Sequence, residues 1–491
     1  MKKMVMSFVV ILSALSLFGA EKPNILFLFA DDQCYETIRA LGHVDIDTPN
    51  LDRLVERGAT FTHTYNMGAW NGAVCAASRA MLNTGRFVWR ANQGPLKDEV
   101  KQGRMWSQQM KKAGYTTYMT GKWHVKADPN EIFDVVRDIR GGMPGDFRRK
   151  GSKDGTKPAG YGYNRPQTPE DYETGWKPWD TSNGGFWAGR THWSEVIGNH
   201  GVDYLEMAAK DDKPFFMYLA FNAAHDPRQA PKEYVDMYPL DRIPVPENFS
   251  PKYEYQDEMG CGPDLRDAAL APFPRTEYSV QVNRQEYYAL ITHMDAQIGR
   301  ILDALEKSGK ADNTYIFFTA DHGLAIGHHG LIGKQNMYEH SMRPPMMVVG
   351  PGVQAGAKID TPVYLQDVMA TALDLTGKPI PDHVEFKSLM PLLNGENVVP
   401  YPAIYGAYKK NLQRMIIQGD YKLIIYPGPN AYRLFNLKKD PQEMADLAGN
   451  PEYARVLDEM KVAFNKLAKE MDDTLDLKSP GNPDFKVPKG H

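Results

Sequence analysis

The short run that begins at Cys75 contains the residue types best suited to chemistry. Arg79 follows Cys75 by four residues. On a helix this spacing puts both side chains on one face, one turn apart, so that a guanidinium lies beside the thiol. A nearby cation favours the thiolate and makes a cysteine reactive. A buried structural cysteine beside a surface arginine would leave the same pattern, and an isolated Cys–Arg pair favours that interpretation.

Charged and imidazole side chains directly follow four apolar segments that are typical of strands buried on both faces. These segments span residues 24–30, 115–120, 214–221 and 314–320. In open α/β sheets, ligands bind beyond the carboxyl ends of the strands. We therefore expect one site to collect the side chains that follow, which are Asp31, Asp32, Lys122, His124, His225, Asp321 and His322.

The three aspartates of this set predict a metal. If Asp31, Asp32 and Asp321 converge, their charges repel one another unless a cation lies between them. Carboxylate oxygens favour Ca²⁺ or Mg²⁺. His322 lies where a further ligand would fall, although imidazole is an unusual ligand for Ca²⁺. Each aspartate taken alone is more simply a helix cap.

The elements that position these residues predict a large α/β domain. Thr48 is a candidate helix N-cap with proline at the first helical position, and residues 285–305 have helical apolar spacing. Residues 129–199 are rich in Gly, Asp and Pro and contain four tryptophans. We interpret them as insertion loops over the site. The indoles would either stack on a sugar substrate or pack the insertion against the domain.

A second, smaller unit follows a boundary near residues 394–402. Four short apolar segments separated by Gly-containing turns predict an antiparallel meander. An amphipathic helix comes next, with Val456, Leu457, Met460, Phe464, Leu467 and Met471 on one face. Capping of the small sheet is the simplest role for this helix.

Composition and the N-terminal residues indicate an exported protein. Among the 491 residues the net charge is −4, which gives no basic bias toward nucleic acid. Residues 1–20 contain two lysines, an apolar run and the small pair Gly19-Ala20, typical of a signal peptide and too short for a membrane span. We therefore expect a periplasmic or secreted protein. Three cysteines do not make a disulfide framework.

The run from Cys75 to Arg86 resembles the signature of the formylglycine-dependent sulfatases of the alkaline phosphatase superfamily. Most members have proline two residues after the cysteine, where this chain has Ala77. Further pieces follow in the family's order between about residues 23 and 352. They are Asp31-Asp32, Thr48-Pro49-Asn50-Leu51-Asp52, Gly121-Lys122-Trp123-His124, His225-Asp226-Pro227, Asp321-His322-Gly323, Gly333-Lys334 and the run from Tyr338 to Pro345.

The resemblance implies an alkaline-phosphatase-like α/β fold. A large, mixed and mainly parallel sheet flanked by helices would be joined to a small C-terminal antiparallel sheet with one packed helix. The predicted domains are a signal peptide (residues 1–20), a catalytic domain (21–395) and a C-terminal α+β subdomain (396–491).

The resemblance also implies roles for the site residues. A maturase would oxidise Cys75 to formylglycine, whose hydrate binds the metal through one oxygen and attacks sulfur with the other. Residue 75 would share the metal with Asp31, Asp32, Asp321 and His322. Arg79 would hold the formylglycine, while Lys122 and Lys334 would clamp the sulfonyl oxygens. His225 would protonate the leaving alcohol, and His124 would help to eject sulfate. For each basic residue, an ordinary structural role is the alternative.

The expected activity is hydrolysis of a sulfate ester, on a sulfated carbohydrate or polysaccharide. One alternative is a phosphonate or phosphodiester hydrolase that uses the same nucleophile. Another is a non-catalytic glycan-binding protein in which Ala77 has blocked maturation.

Overall fold

Fifteen strands occur among the residues that the computed structural model describes, which are 22–42, 44–145, 168–174 and 176–475. The predicted signal peptide lies outside these residues. The strands are β1 (Asn24–Ala30), β2 (Ala59–Phe61), β3 (Thr64–Tyr65), β4 (Gly68–Ala69), β5 (Thr116–Lys122), β6 (Val135–Arg140), β7 (Phe215–Ala220), β8 (Thr314–Ala320), β9 (Met346–Val349), β10 (Ala357–Ile359), β11 (Val363–Tyr364), β12 (Ile404–Tyr408), β13 (Gln413–Gln418), β14 (Tyr421–Tyr426) and β15 (Ala431–Asn436).

Twelve α-helices occur in the same described ranges. They are α1 (Pro49–Arg57), α2 (Val74–Thr84), α3 (Leu96–Lys101), α4 (Trp106–Lys112), α5 (Pro169–Thr174), α6 (Trp193–Ala208), α7 (Lys232–Asp236), α8 (Glu277–Lys307), α9 (Glu339–Met342), α10 (Asp367–Asp374), α11 (Met390–Leu393) and α12 (Ala454–Glu470).

The main sheet has eight strands in the order β10-β2-β9-β8-β1-β7-β5-β6, and among them β9 alone runs antiparallel to its neighbours. Its central strands β1 and β8 are buried along their whole length, as continuous apolar runs require when helices cover both faces. They pair in register, so that Ala30 lies beside Ala320. The next residues, Asp31 and Asp321, therefore leave the sheet side by side. The mixed, mainly parallel sheet predicted from sequence is confirmed.

Helix α1 begins at Pro49 as predicted, but the Thr48 hydroxyl does not cap it. Thr48 Oγ1 instead donates to Asp52 Oδ1. The free N–H groups of Asn50 and Leu51 donate to the Asp295 carboxylate of α8. A side chain distant in sequence thus replaces the local cap, because it can accept from several backbone donors at once.

The segment 129–199 is not simply a set of loops, and that part of the prediction is wrong. It contains β6, the edge strand beside β5, and the beginning of α6, which packs on α8. Trp187 and Trp193 donate through Nε1 to the backbone oxygens of Pro178 and Ala188. The hydrogen bonds of both indoles therefore stay within the insertion, while Trp193 also packs in the core beside the main sheet.

The small sheet is the predicted antiparallel meander of β12 to β15, with one addition. Strand β4 pairs with β12 in parallel, so a segment near Cys75 belongs to this second sheet. Helix α12 covers the sheet, and Phe464 stacks on Tyr405 with ring centroids 6.2 Å apart. The capping role of α12 fits this contact.

The described residues include no helix with both the length and the apolar character that a membrane crossing requires. The thiols of Cys34, Cys75 and Cys261 are all buried and form no disulfide.

Candidate active site

Four neighbouring strands bring most of the predicted residues to one edge of the main sheet. In the sheet order β8-β1-β7-β5, Asp321 follows β8, Asp31 follows β1, the loop to His225 follows β7, and Lys122 is the last residue of β5. A backbone hydrogen bond of 2.9 Å from Asp31 to Ala223 ties two of these ends together. Cys75 reaches the same edge from the first turn of α2.

Five potential ligands surround one point at this edge. The donor atoms of Asp31, Asp32, Cys75, Asp321 and His322 all lie within 4.8 Å of one another, and all five residues are buried. This is the ligand set that the family resemblance implied. Burial and then the Asp321 charge raise the pKa of Asp31 well above its usual value. The converging carboxylates therefore repel one another, as the prediction of a cation at this point assumes.

The chemistry of the donors fits a divalent cation. Within the described part of the chain, no group donates a hydrogen bond to the buried Oδ1 of Asp31. His322 Nδ1 lies 2.9 Å from the Gly323 carbonyl, so its proton points away and Nε2 faces the cluster. Burial lowers the pKa of His322, but Asp321 and Asp32 raise it to about 9.

Cys75 lies in the middle of the charged groups. Its side chain is buried, with Sγ 3.2 Å from Lys334 Nζ and 3.3 Å from His322 Nε2. Burial raises the pKa of the thiol, but Lys122, Lys334 and His322 together lower it well below its ordinary value. These contacts differ from those of a structural thiol such as Cys34, whose pKa burial raises to about 12.

Arg79 lies one turn after Cys75, as its spacing predicted, and its guanidinium is fully buried. Nε donates to Asp321 Oδ2 at 2.9 Å, and Nη1 donates to the carbonyl of Lys122 at 2.7 Å. The guanidinium also covers the Phe29 ring at 4.5 Å. Arg79 thus joins the ends of β8 and β5 to α2.

Two buried lysines neutralise two of the aspartates. Lys122 Nζ donates to Asp31 Oδ2. Lys334 Nζ contacts both oxygens of Asp32, at 2.9 and 2.7 Å. Both ammonium groups lie where an anion bound beside Cys75 would meet them.

Two histidines complete the predicted set. His225 is buried, its Nδ1 lies 2.7 Å from the Asp226 carbonyl, and its Nε2 lies 3.7 Å from Asp32 Oδ2. His124 is partly exposed. Burial lowers the pKa of its imidazole, and a hydrogen bond with Cys75 opposes this shift. All ten residues predicted for the site therefore lie together at this edge.

Sequence reasoning missed four residues that support this group. Tyr287 of α8 donates to the carbonyl of Asp32. Asp226, Arg266 and Asp267 form a charged group beside His225 and Lys334. The sequence pointed only to Asp226, which follows His225 in the motif His225-Asp226-Pro227. The other three residues lie outside the recognised motifs.

Comparison with known proteins identifies the family. The sequence model of the sulfatase family matches residues 23–378, well over half of the chain. The chain belongs to the sulfatase family. The protein is thus a sulfuric ester hydrolase, as the resemblance implied. A second model, for the C-terminal region of N-sulphoglucosamine sulphohydrolase, matches residues 327–470.

Several relatives of this sulfatase match along almost their whole length. An arylsulfatase of Clostridium perfringens is 28% identical, over 96% of this chain and 98% of its own. An N-acetylglucosamine-6-O-sulfatase of Bacteroides thetaiotaomicron is 24% identical, over 92% of this chain and 87% of its own. A solved structure of a protein with its substrate D-glucosamine-2-N,6-O-disulfate has a TM-score of 0.71 at 23% identity, covering 94% of this chain and 100% of that one. At this identity the structural match supports the fold.

Proposed function

We propose that this sulfatase hydrolyses sulfate esters of carbohydrates with a formylglycine nucleophile made from Cys75 and a divalent metal, Ca²⁺ or Mg²⁺. One observation carries the proposal: the donor atoms of Asp31, Asp32, Asp321 and His322 surround Cys75 Sγ, all within 4.8 Å. In this arrangement Sγ stands for the oxygen atoms of the modified side chain. A purely structural role for Cys75 would not account for the acidic and basic side chains that converge on its sulfur atom.

The family implies two reactive groups at this site, a divalent cation and the formylglycine at residue 75. A divalent cation would supply Lewis acidity, and hydrated formylglycine at residue 75 would supply the hydroxyl nucleophile. Asp31, Asp32, Asp321 and His322 would hold the cation. Arg79 keeps residue 75 in place through its contacts with Asp321 and the Lys122 carbonyl.

The lysines would bind the sulfonyl oxygens. Lys122 and Lys334 already face the carboxylates beside residue 75, and both are almost fully buried. In a buried site, fixed cations would stabilise the charge that shifts onto the sulfonyl group in the transition state. They also hold an anionic ester on a protein whose net charge is negative.

The histidines would move the protons. The Asp226 carbonyl and carboxylate fix His225 at Nδ1, so that Nε2 faces the site and can protonate the leaving alcohol oxygen. His124 contacts Cys75 and would take the proton that releases sulfate from residue 75. Protonation matters most for sugar alcohols, because they are poor leaving groups.

A carbohydrate substrate is supported by the two proteins named above, one an N-acetylglucosamine-6-O-sulfatase and one bound to its substrate D-glucosamine-2-N,6-O-disulfate. We also propose export to the periplasm or the medium, with residues 1–20 as the signal peptide and a formylglycine-generating maturase as a partner during biosynthesis.

Mass spectrometry tests the nucleophile. In protein made with a maturase, we expect the tryptic peptide with residue 75 to carry an aldehyde in place of the thiol. The peptides with Cys34 and Cys261 provide the internal control, because both thiols should remain unmodified. An unmodified Cys75 in protein that hydrolyses sulfate esters would refute the formylglycine mechanism.

Turnover of matched substrates tests the reaction. We expect hydrolysis of 4-nitrophenyl sulfate to exceed hydrolysis of an aryl phosphonate monoester, to stop with a chelator and to return with Ca²⁺ or Mg²⁺. Cys75→Ala should abolish both activities. Strong phosphonate turnover without sulfate turnover would instead favour the phosphonate hydrolase alternative.

A further inference from the structure

We propose that Arg266 is a positioning residue that aligns His225 with Lys334 across the site. The proposal rests on the proposed function, in which His225 protonates the leaving oxygen and Lys334 binds the sulfonyl group. The two residues come from different loops, one after β7 and one after β8. Their separation must be held within a fraction of an ångström for one substrate to meet both.

On one side, Arg266 holds the carboxylate that orients His225. Nη1 donates to Asp226 Oδ2 at 3.1 Å, and Nη2 lies 3.0 Å from Asp226 Oδ1. This two-pronged contact fixes the plane of the carboxylate. Asp226 Oδ1 in turn lies 3.1 Å from His225 Nδ1. Arg266 Nη2 also lies 3.4 Å from His225 Nε2, so the position of the imidazole depends on the guanidinium both directly and through Asp226.

On the other side, Arg266 holds the carboxylate beside Lys334. Nε donates to Asp267 Oδ1 at 2.7 Å, and Asp267 Oδ2 accepts from Gln335 Nε2 at 2.7 Å. Gln335 Oε1 accepts from the backbone N–H of Lys334 at 3.1 Å, and Asp267 Oδ2 lies 4.0 Å from Lys334 Nζ. A chain of contacts thus joins the guanidinium to the Lys334 loop.

Arginine suits this position better than lysine. Its planar fork reaches Asp226 and Asp267 together, whereas an ammonium group is a compact charge that cannot fix two carboxylate planes. Both carboxylates are 5% exposed and Arg266 is 20% exposed. Arg266→Lys therefore keeps the charge beside the two acids and removes the alignment.

The leaving-group dependence of the reaction tests this role. A series of substituted phenyl sulfates, from 4-nitrophenyl to phenyl, needs increasing protonation of the leaving oxygen. If Arg266 aligns His225, Arg266→Lys should lower kcat/KM for phenyl sulfate about tenfold more than for 4-nitrophenyl sulfate, since a general acid contributes about 10²–10⁴-fold. His225→Ala should show the same trend more strongly.

Arg433→Lys is the matched control. Arg433 also bridges two carboxylates, Glu254 and Asp446, and is 19% exposed, but it lies on β15 in the small sheet. Its loss should not change the leaving-group dependence. Thermal unfolding of both variants shows whether they fold, and Arg266→Met provides a second variant without the charge.

The outcomes separate this proposal from the proposed function. A wild type without sulfate ester turnover would overturn both. A steeper dependence in His225→Ala, with the wild-type dependence in Arg266→Lys and Arg266→Met, would overturn only the role of Arg266. An equal loss of kcat/KM for every substrate would do the same, since it indicates a merely structural residue.

Discussion

Asp32 adopts a left-handed backbone conformation, with a φ of 60°, at the centre of the donor cluster. A residue with a side chain pays about 1–3 kcal/mol in sparsely populated backbone regions, so the surroundings must hold it there. Asp321 Oδ1 accepts from its N–H at 3.2 Å, and the Tyr287 hydroxyl donates to its carbonyl. The same hydroxyl accepts from Cys34 N at 2.9 Å. Tyr287 therefore helps to hold the backbone conformation from which the Asp32 side chain enters the cluster.

We expect Tyr287→Phe to weaken the binding of Ca²⁺ or Mg²⁺ about tenfold, because groups that orient a metal ligand have effects of this size. Titration calorimetry of chelator-treated protein measures the affinity without relying on turnover. Tyr288→Phe is the control, since its buried hydroxyl pairs with Arg284 instead. Equal affinities in wild type and Tyr287→Phe would contradict the role of Tyr287.

At the scale of elements, α1 depends on α8. The Asp295 carboxylate accepts from the first free N–H groups of α1, at distances from 2.7 to 3.2 Å. The contact ties the beginning of α1 to α8, and it replaces the side-chain cap that the helix N-terminus lacks.

We expect Asp295→Asn to lower the free energy of unfolding by about 1–3 kcal/mol, since the amide can accept fewer of these buried bonds. Asp303→Asn on the same helix is the control. Asp303 pairs with Arg53 at the surface and is 56% exposed, so its loss should cost less than about 1 kcal/mol. Urea denaturation compares the two, and equal effects would count against the capping role.

The long apolar strands could be predicted, and the short ones could not. Strands β1 and β8 match the predicted bounds because seven consecutive buried residues leave a clear sequence pattern. Strands β3 and β4 have two residues each, too few for any period, and β4 pairs with a segment far along the chain. In the insertion, the Gly- and Pro-rich composition concealed β6 and α6.

The same difference holds for the site. Cys75, Lys122 and Asp321 could be proposed because each stands in a motif or at the end of an apolar run. Arg266 and Tyr287 lie in a loop and in the middle of a long helix, where an arginine or a tyrosine is unremarkable. Their roles depend on contacts between distant segments, which one sequence does not reveal.

At the scale of the whole molecule, Asp367 of α10 ties together three segments of the chain that meet around its carboxylate. Its carboxylate accepts from the backbone of Tyr364 and Lys387 and from the hydroxyl of Tyr401, just before the small sheet. Burial raises its pKa from 3.8 to about 7, although these hydrogen bonds oppose the shift. The folded protein therefore keeps a proton that the unfolded chain releases.

This difference makes stability depend on pH. Between about pH 4 and 7 the unfolded chain binds fewer protons at this group, so the free energy of unfolding should fall as the pH rises. The fall attributable to Asp367 is on the order of 4 kcal/mol for a shift of this size. Denaturation of wild type and Asp367→Asn across this range should show the smaller slope in the variant. Asp374→Asn, exposed on the same helix, should keep the wild-type slope.

The burial of Cys75 bears on the timing of biosynthesis. Cys75 is 3% exposed in the folded protein, and its thiol contacts Lys334 and His322. If Cys75 is converted to formylglycine as we propose, the oxidising enzyme would have to act on the nascent or still unfolded polypeptide. Chains that fold before this conversion would keep an unmodified Cys75 and stay inactive. The folding rate and the amount of the oxidising enzyme would then together determine the fraction of active protein.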